Sequence, residues 1–257
     1  SDAFKEGDAN YASVAKALSG SEYKQARESM LTAYYTPLFI IESIYKMLSG
    51  AGFKGGRVLE PSCGIGKFFG MMPKKMYDKS LLYGVELDDI SARIAQQLYP
   101  KARIQKIGFE KATLFSNFYD LVISNVPFGE YKVNDPAYNK LNLMIHDYFI
   151  CKAVDKARTG GFVIVLTEHN TLDRQNKKAR EYLNQRAELI GALRLPENTF
   201  GNSHTRVVTD ILILRKKADK EDAGEKFTES LSFTLSDVNY NRNEYFTAHP
   251  EMILVES

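Results

Sequence analysis

Residues 58–69 read Val58-Leu59-Glu60-Pro61-Ser62-Cys63-Gly64-Ile65-Gly66-Lys67-Phe68-Phe69 and give the strongest structural signal in the chain. An apolar segment that predicts a strand ends in Glu60, and a turn with two glycines one residue apart leads into a predicted helix. Glycine has no Cβ and tolerates positive φ, so the backbone of such a turn can approach a ligand closely. The turn lies where open α/β sheets bind ligands, just beyond the end of a strand. Gly-x-Gly turns also serve only to pack a helix on a strand, so further elements must support a site.

Two later apolar segments also end in polar groups. Leu81-Leu82-Tyr83-Gly84-Val85-Glu86 predicts a second strand, and a carboxylate at its tip can accept hydrogen bonds from both hydroxyls of a ribose. Arg103 to Ile107 is a candidate third strand. Leu121-Val122-Ile123-Ser124 predicts a fourth strand, which leads into Asn125-Val126-Pro127-Phe128.

Together these motifs resemble the S-adenosylmethionine-dependent N6-adenine DNA methyltransferases, whose signature is Asn-Pro-Pro-Tyr/Phe at the end of strand four. The resemblance runs from about Thr32 to Arg215. It implies an α/β, Rossmann-like class I methyltransferase fold, with a mostly parallel seven-stranded sheet and helices on both faces. We expect an N-terminal helical extension over residues 1–31, a catalytic domain over 32–216, and an unassigned linker and tail over 217–257.

The resemblance also implies a binding site for S-adenosylmethionine. A Thr-Pro turn precedes the cofactor strand in the family and closes over the methionine end of the cofactor; here Pro37 is expected in the first turn of a helix, with Thr36 as its N-cap. After the third strand the family often has an aspartate at the cofactor adenine, whereas this chain has Gly108-Phe109-Glu110. Phe109 is expected to abut the adenine, with Glu110 or a backbone carbonyl as the acceptor. The implied cofactor residues are Tyr34, Tyr35, Thr36, Glu60, Pro61, Ser62, Cys63, Gly64, Gly66, Glu86, Leu87, Gly108, Phe109 and Asn125.

The implied catalytic residues are Asn125, Val126, Pro127 and Phe128. An exocyclic adenine amine is a poor nucleophile because its lone pair is delocalised into the ring. The Asn125 side-chain oxygen and the Val126 carbonyl oxygen would draw the amine towards tetrahedral geometry, and Phe128 would stack on the flipped base. The family usually has proline in place of Val126; the carbonyl acceptor is kept, but the stiffness of the first proline is lost. The turn predicts methyl transfer to N6 of adenine in DNA.

Composition sets broad limits on the protein. A chain of 257 residues can form one α/β domain with appendages, and a net charge of +2 is compatible with nucleic acid without demanding it. Cys63 and Cys151 are too far apart to suggest a disulfide framework, which favours a reducing, cytoplasmic setting. Neither a metal nor a membrane is expected, because the sequence has no clustered cysteine and histidine ligands and no apolar run of spanning length.

Four other segments have weaker predictions. His146 and Asp147 are adjacent on a predicted helix, so their side chains should point in different directions and be structural. The loop 129–142 either borders the substrate cleft or is a solvated connection. The loop 196–206 is a candidate for nucleic-acid contact, and the resemblance assigns no chemical role to residues 168–170.

The stretch from Asn125 to Asp135 also resembles methyltransferase regions within very large proteins of bacterial conjugative elements and phages. This likeness implies DNA as the partner, a bacterial cytoplasmic setting, and a target-recognition or helicase region in the same longer polypeptide. Two alternatives stay open. One is a catalytically weak or inactive methyltransferase-like module that binds nucleic acid, and the other is a protein-glutamine N5 methyltransferase, which uses a related turn.

Overall fold

The computed structural model describes residues 36–200, 208–218, 224–235 and 238–254, together with Ser13, Lys16, Ser19 and Gly20. The predicted N-terminal extension therefore lies almost wholly outside the described residues. So do Tyr34 and Tyr35 of the predicted cofactor pocket. Within the described ranges, no helix combines the length and the apolar character that crossing a membrane requires.

Seven strands form one sheet in the order β3-β2-β1-β4-β5-β7-β6. Neighbours pair in parallel, except that β7 runs antiparallel to both β5 and β6. The predicted mostly parallel seven-stranded sheet is thus confirmed. The strands are β1 Arg57–Glu60, β2 Leu81–Glu86, β3 Arg103–Lys106, β4 Tyr119–Asn125, β5 Ala157–Glu168, β6 Ala187–Arg194 and β7 Thr209–Lys216.

Helices cover both faces of this sheet. Alternate residues of a strand point to opposite faces, so Val58 packs in a cluster with helix α1 while Leu59 packs in a second cluster with helix α5. The helices in the described ranges are α1 Leu38–Gly50, α2 Lys67–Met71, α3 Lys74–Tyr77, α4 Asp89–Leu98, α5 Ile145–Lys156, α6 Asn170–Asp173, α7 Lys178–Arg186 and α8 Glu244–Ala248, with short 3₁₀ helices at Asn139–Leu141 and Pro250–Met252.

The start of α1 differs from the prediction. The helix begins at Leu38, so Pro37 occupies the capping position, and no side chain caps the helix. Pro37 has ψ of 139°, which is extended rather than helical, so this proline precedes the first turn instead of lying in it. Thr36 is therefore not the N-cap; it is buried immediately before the helix.

The C-terminal region is part of the same core. A two-stranded hairpin, β8 Ser230–Leu235 and β9 Val238–Asn243, is followed by α8. Phe227, Tyr245 and Phe246 are almost fully buried in the cluster that includes the α5 side chains. The sequence left residues 217–257 unassigned, and the described part of this stretch is folded against the sheet.

Asn243 anchors the hairpin to the rest of the molecule. Its side chain is fully buried and donates hydrogen bonds to the carbonyl oxygens of Leu172, Phe227 and Glu229, at 2.9 to 3.0 Å. Its backbone amide donates to Asp173 Oδ1 at 2.9 Å. One side chain therefore joins α6, the segment before β8 and the start of α8.

We predict that Asn243→Ala lowers the free energy of unfolding by about 3 kcal/mol, because it leaves several buried backbone acceptors without donors. Asn239→Ala, an exposed position on the same strand, is the matched control and should change stability by less than about 0.5 kcal/mol. Urea denaturation of both variants measures the difference. Equal stabilities would show that Asn243 is not an anchor.

Candidate active site

The carboxyl ends of the parallel strands meet at one edge of the sheet and bring the predicted site residues together. Glu60 ends β1, Glu86 ends β2, Asn125 ends β4 and Glu168 ends β5. The strand order reverses between β1 and β4, and a crevice at such a reversal is where open α/β sheets bind ligands.

The two glycines of the turn after β1 have different roles. Both have positive φ, 52° at Gly64 and 81° at Gly66. A Cβ added at Gly66 would lie 2.4 Å from the ring of Tyr99, whereas a Cβ added at Gly64 would meet no atom within 4 Å. Packing therefore accounts for Gly66, while Gly64 borders open space that a ligand can reach.

Glu86 holds this turn in place. One carboxylate oxygen accepts a hydrogen bond from the Gly64 amide at 2.7 Å, and the other accepts from the Asp88 amide at 2.7 Å. Burial raises the pKa of Glu86 above its ordinary value, and these two hydrogen bonds counteract part of that rise. The carboxylate is thus fixed at the mouth of the crevice.

Glu60 is the deepest polar group of the site. Its side chain is almost fully buried, and its Oε2 has no hydrogen-bond partner among the described residues. Burial raises its pKa well above the usual value, and the nearby charge of Glu86 raises the pKa further. A buried and a half-buried carboxylate beside an open glycine turn suit a ligand that has positive charge and a ribose. S-adenosylmethionine has both, so the residues present fit it.

At the adenine end of the predicted cofactor pocket, the Glu110 side chain occupies the space beside Gly108. The Glu110 carboxylate folds over Gly108, and its oxygens lie 2.3 and 2.4 Å from where a Cβ of residue 108 would stand. The Gly108 and Phe109 carbonyl oxygens already accept hydrogen bonds from the Lys111 amide and from Lys152 Nζ. Both Glu110 and these carbonyl oxygens stay predicted acceptors for the adenine of the cofactor.

Phe109 itself is buried rather than lining an open pocket. It is 2% exposed, and its ring packs 4.9 Å from the ring of Phe149 between centroids. The Lys152 ammonium lies 4.8 Å from the Phe109 ring centroid and pairs with Asp135 at 2.8 Å. Contact between Phe109 and a cofactor adenine stays a prediction.

The turn after β4 is stiffened by a hydrogen bond. The Val126 amide donates to the Leu166 carbonyl oxygen at 3.1 Å, which continues the β4–β5 pairing by one residue beyond Asn125. A proline at position 126 has no N–H and could not make this bond. The Val126 side chain is 2% exposed. The rigidity that the family obtains from its first proline is here supplied by burial and by this bond.

A buried polar cluster lies next to this turn and was not predicted from the sequence. His146 Nε2 lies 3.3 Å from Glu168 Oε1 and 3.6 Å from Asp147 Oδ1, and Arg174 reaches Glu168 at 3.7 Å. The prediction that His146 and Asp147 point apart is wrong, because the imidazole is long enough for its far nitrogen to approach the neighbouring carboxylate. No sequence signal marks this cluster, since it depends on how α5 docks against the end of β5.

Two groups of the cluster have strongly altered proton affinity. Burial lowers the pKa of His146 to about 4, and the positive charge of Arg174 lowers it further. Burial raises the pKa of Asp147 to about 7, although Arg174 and Thr171 counteract part of the rise. Between pH 4 and 7, the folded protein therefore holds one proton on this pair, and Asp147 carries it. In the unfolded chain the pair also holds one proton up to about pH 6.5, but His146 carries it. Because the proton counts match up to about pH 6.5, the pair adds little pH dependence to stability there.

No three histidine, cysteine or carboxylate side chains in the described part of the chain are grouped so as to hold a metal ion. Both cysteines are buried free thiols, and burial raises the pKa of Cys63 far above its ordinary value. The described crevice thus offers carboxylates, an amide and backbone groups as its chemistry.

The family model described as N-6 DNA Methylase matches residues 21–244. The chain belongs to the N-6 DNA methylase family. Its similarity to methyltransferase regions of large phage proteins is also confirmed. It is 31% identical over 193 residues to the Defense against restriction protein B of Escherichia phage P1, covering 72% of this chain and 8% of that protein.

Two further comparisons agree with this family. The Type II methyltransferase M.CvrRI of Paramecium bursaria Chlorella virus XZ-6E is 24% identical over 197 residues, covering 72% of this chain and 48% of that protein. The chain thus spans less than half the length of either curated relative. A type I restriction-modification system methyltransferase subunit from Streptococcus thermophilus has a TM-score of 0.63 at 17% identity, covering 76% of this chain and 48% of that one. Together with the strand order, this likeness confirms the class I methyltransferase fold.

We predict that the two turn glycines differ in their effect on stability. Both substitutions to alanine place a side chain at positive φ, which costs about 1 kcal/mol. Gly66→Ala also forces a methyl group into the Tyr99 ring and should lose a further ~1–3 kcal/mol. Chemical denaturation compares the two variants, each serving as the other's control. Equal losses would contradict the assignment of Gly66 to packing.

We predict that replacing either member of the His146–Asp147 pair makes the free energy of unfolding depend on pH through the titration of the remaining member. In Asp147→Asn, the unfolded chain binds more protons than the folded one between about pH 4 and 6.5, so the free energy of unfolding should rise with pH by up to ~1.4 kcal/mol per unit, relative to wild type. In His146→Gln, the folded state binds more protons between about pH 4 and 7, so that free energy should fall as pH rises.

Urea denaturation at a series of pH values, with wild type and the double variant as controls, measures these slopes. Slopes of the same sign in the two single variants would be incompatible with the proton being held on Asp147.

Proposed function

We propose that this chain transfers a methyl group from S-adenosylmethionine to the exocyclic N6 amine of adenine in DNA, with the base flipped into a pocket at the turn after β4. One observation carries the proposal: the open glycine turn at Gly64 and the half-buried Asn125 occupy one edge of the sheet, on either side of the strand-order reversal. Membership of the N-6 DNA methylase family supports adenine in DNA as the acceptor. We assign the activity to residues 32–216.

Different residues of the crevice would contact different parts of the cofactor. Glu86 would accept hydrogen bonds from the ribose hydroxyls, and Glu60 would provide a negative charge where its buried oxygen lacks a partner. Glu110 would accept a hydrogen bond from the cofactor adenine. When bound, S-adenosylmethionine supplies an electrophilic methyl group and carries its own leaving group. The further residues that we assign to cofactor binding are Tyr34, Tyr35, Thr36, Pro61, Ser62, Cys63 and Leu87, of which Tyr34 and Tyr35 lie outside the described residues.

The turn after β4 would act on the target base. Asn125 Oδ1 and the Val126 carbonyl oxygen would accept hydrogen bonds from the amine, and this draws its lone pair out of the ring. Pro127 keeps the preceding residue in an extended conformation. Phe128, whose ring is half-buried against the core, would stack on the extracted base. The remaining catalytic effect is positioning of the amine for in-line attack.

Selection of a target sequence is assigned to regions outside this chain. The phage relative is far longer than the matched segment, and the other curated relative is about twice as long. We infer that a target-recognition or helicase region accompanies this catalytic segment in a longer polypeptide.

We predict that two substitutions separate binding from transfer. Glu86→Ala should weaken S-adenosylmethionine binding at least about tenfold, because charge-assisted hydrogen bonds to the ribose are lost. Asn125→Ala should leave that affinity within a few fold and reduce the rate of methyl transfer by a factor on the order of 10², as expected for loss of a group that acts in the transition state. Calorimetric titration measures the first effect, and tritium transfer from labelled cofactor to adenine-containing DNA measures the second.

Failure of the intact chain to bind S-adenosylmethionine would sink the proposal for this chain by itself. Binding without transfer to DNA, but with transfer to a protein glutamine, would change the acceptor and leave the cofactor site standing.

A further inference from the structure

The hairpin β8–β9 is joined to the body of the protein through polar side chains. An antiparallel ribbon that packs on a core normally turns its apolar side chains inward and its polar side chains to water. Here Gln175, in the segment after α6, donates hydrogen bonds to Ser232 Oγ at 3.1 Å and Asn241 Oδ1 at 3.0 Å. Ser230 Oγ also bonds to the Asp173 carbonyl oxygen. The serine and asparagine face is therefore the one that bonds to the body of the protein, at its Ser230–Asn243 end, while Ser232 and Asn239 on the same face are exposed.

The opposite face of the hairpin presents aromatic rings and an arginine. Phe233 and Tyr240 are direct cross-strand partners, with ring centroids 5.5 Å apart and planes 21° from parallel. The Arg242 guanidinium lies 5.8 Å from the Phe233 centroid and 5.7 Å from the Tyr240 centroid. Tyr240 is 36% exposed, and Leu231, which is paired with Arg242, is 41% exposed. No carboxylate of the described residues forms an ion pair with Arg242.

Stabilisation of the hairpin does not account for this orientation. A cross-strand aromatic pair contributes about 0.2–1 kcal/mol wherever it lies, and the same pair turned inward would also have been removed from water. The outward placement leaves apolar area exposed, next to a cation that lacks a described anionic partner. Such a surface fits a ligand that has both flat rings and negative charge.

The hairpin lies at the same edge of the sheet as the Asn125 turn. Helix α6 begins two residues after Glu168, at the carboxyl end of β5, and β5 pairs directly with β4 up to Asn125. Hydrogen bonds from Ser230 and from the Asn243 amide to Asp173 fix the hairpin to the last residue of this short helix. A nucleic-acid strand that delivers a base to the Asn125 turn therefore has the hairpin on the β5 side of its path.

We propose that the aromatic face, defined as Leu231, Phe233, Tyr240 and Arg242, contacts a strand of the DNA substrate beside the target adenine. Bases stack on exposed aromatic side chains irrespective of their sequence, and arginine adds contacts to phosphate and to π-faces. Four side chains are too few for a stable protein interface, which buries at least about 1,000 Å². This inference rests on the proposed function, since it takes DNA as the substrate.

The test measures binding of a fluorescently labelled, mixed-sequence DNA, as a single strand and as a duplex, by anisotropy. The double variant Phe233→Ala/Tyr240→Ala should lose about tenfold or more in affinity for the single strand. Arg242→Gln should weaken binding and reduce its salt dependence. Tyr240→Phe keeps the ring and should retain the wild-type affinity.

Phe115→Ala is the matched control. Phe115 is 63% exposed and packs on Phe118 at 4.9 Å, like the hairpin pair, but it lies just before β4 and so at the opposite edge of the sheet. Its substitution should leave DNA binding unchanged. Unaltered binding in the double variant, or an equal loss in Phe115→Ala, would overturn the inference. So would an altered state of self-association with no change in DNA affinity. Thermal melting checks that every variant is folded.

Two measurements keep this inference apart from the proposed function. If wild type methylates DNA and the double variant has an unchanged KM for DNA, the hairpin inference fails and the methyltransferase stands. If wild type binds DNA through the hairpin but transfers no methyl group, the proposed function fails and the hairpin inference stands.

Discussion

The Glu86 carboxylate is the constraint on which the candidate site depends. One oxygen holds the amide of Gly64 in the turn after β1, and the other holds the amide of Asp88 at the start of α4. The turn after β1 is thus tied to the junction of β2 and α4, 22 residues later, by one half-buried carboxylate. The cost of its desolvation is offset by backbone dipoles rather than by a cation. Among the described residues no cation forms an ion pair with Glu86, and a carboxylate placed in this way suits a cationic ligand.

The strands of the sheet and the class of fold could be predicted from local sequence patterns. The apolar runs that end in Glu60, Glu86 and Asn125 specify strands whose tips meet, and the class I fold follows from their order. The tail could not be read in this way. The hairpin is attached through serine and asparagine residues, which a hydrophobicity pattern assigns to water, and the Asn243 amide bonds to Asp173, 70 residues earlier. The His146 cluster likewise depends on helix docking, which no local pattern encodes.

Two positions that depart from the family pattern, Val126 and Gly108, each have a neighbouring group that takes the place of the missing one. The turn at Val126 lacks a proline ring but gains a backbone donor, which the Leu166 carbonyl uses. Gly108 lacks a carboxylate but leaves a gap that the Glu110 side chain fills. At Val126 a hydrogen bond to a neighbouring strand stands in place of a proline ring. At Gly108 a side chain two residues later stands in place of a carboxylate at position 108. A motif comparison counts both positions as losses, whereas the structure has a backbone hydrogen bond at Val126 and a carboxylate beside Gly108.

The outer side of β6 has a consequence for how the molecule behaves in solution. As the last strand of the sheet, β6 would present unpaired backbone groups, which invite other chains to add strands. The Glu225 amide instead donates to the Leu189 carbonyl, and the Leu254 amide donates to the Arg194 carbonyl. The segment after β7 thus acts as a guard against intermolecular strand addition. A protein shortened at Lys216, where the sheet itself is complete, would lose this guard together with Phe227 and Phe246, and would tend to polymerise.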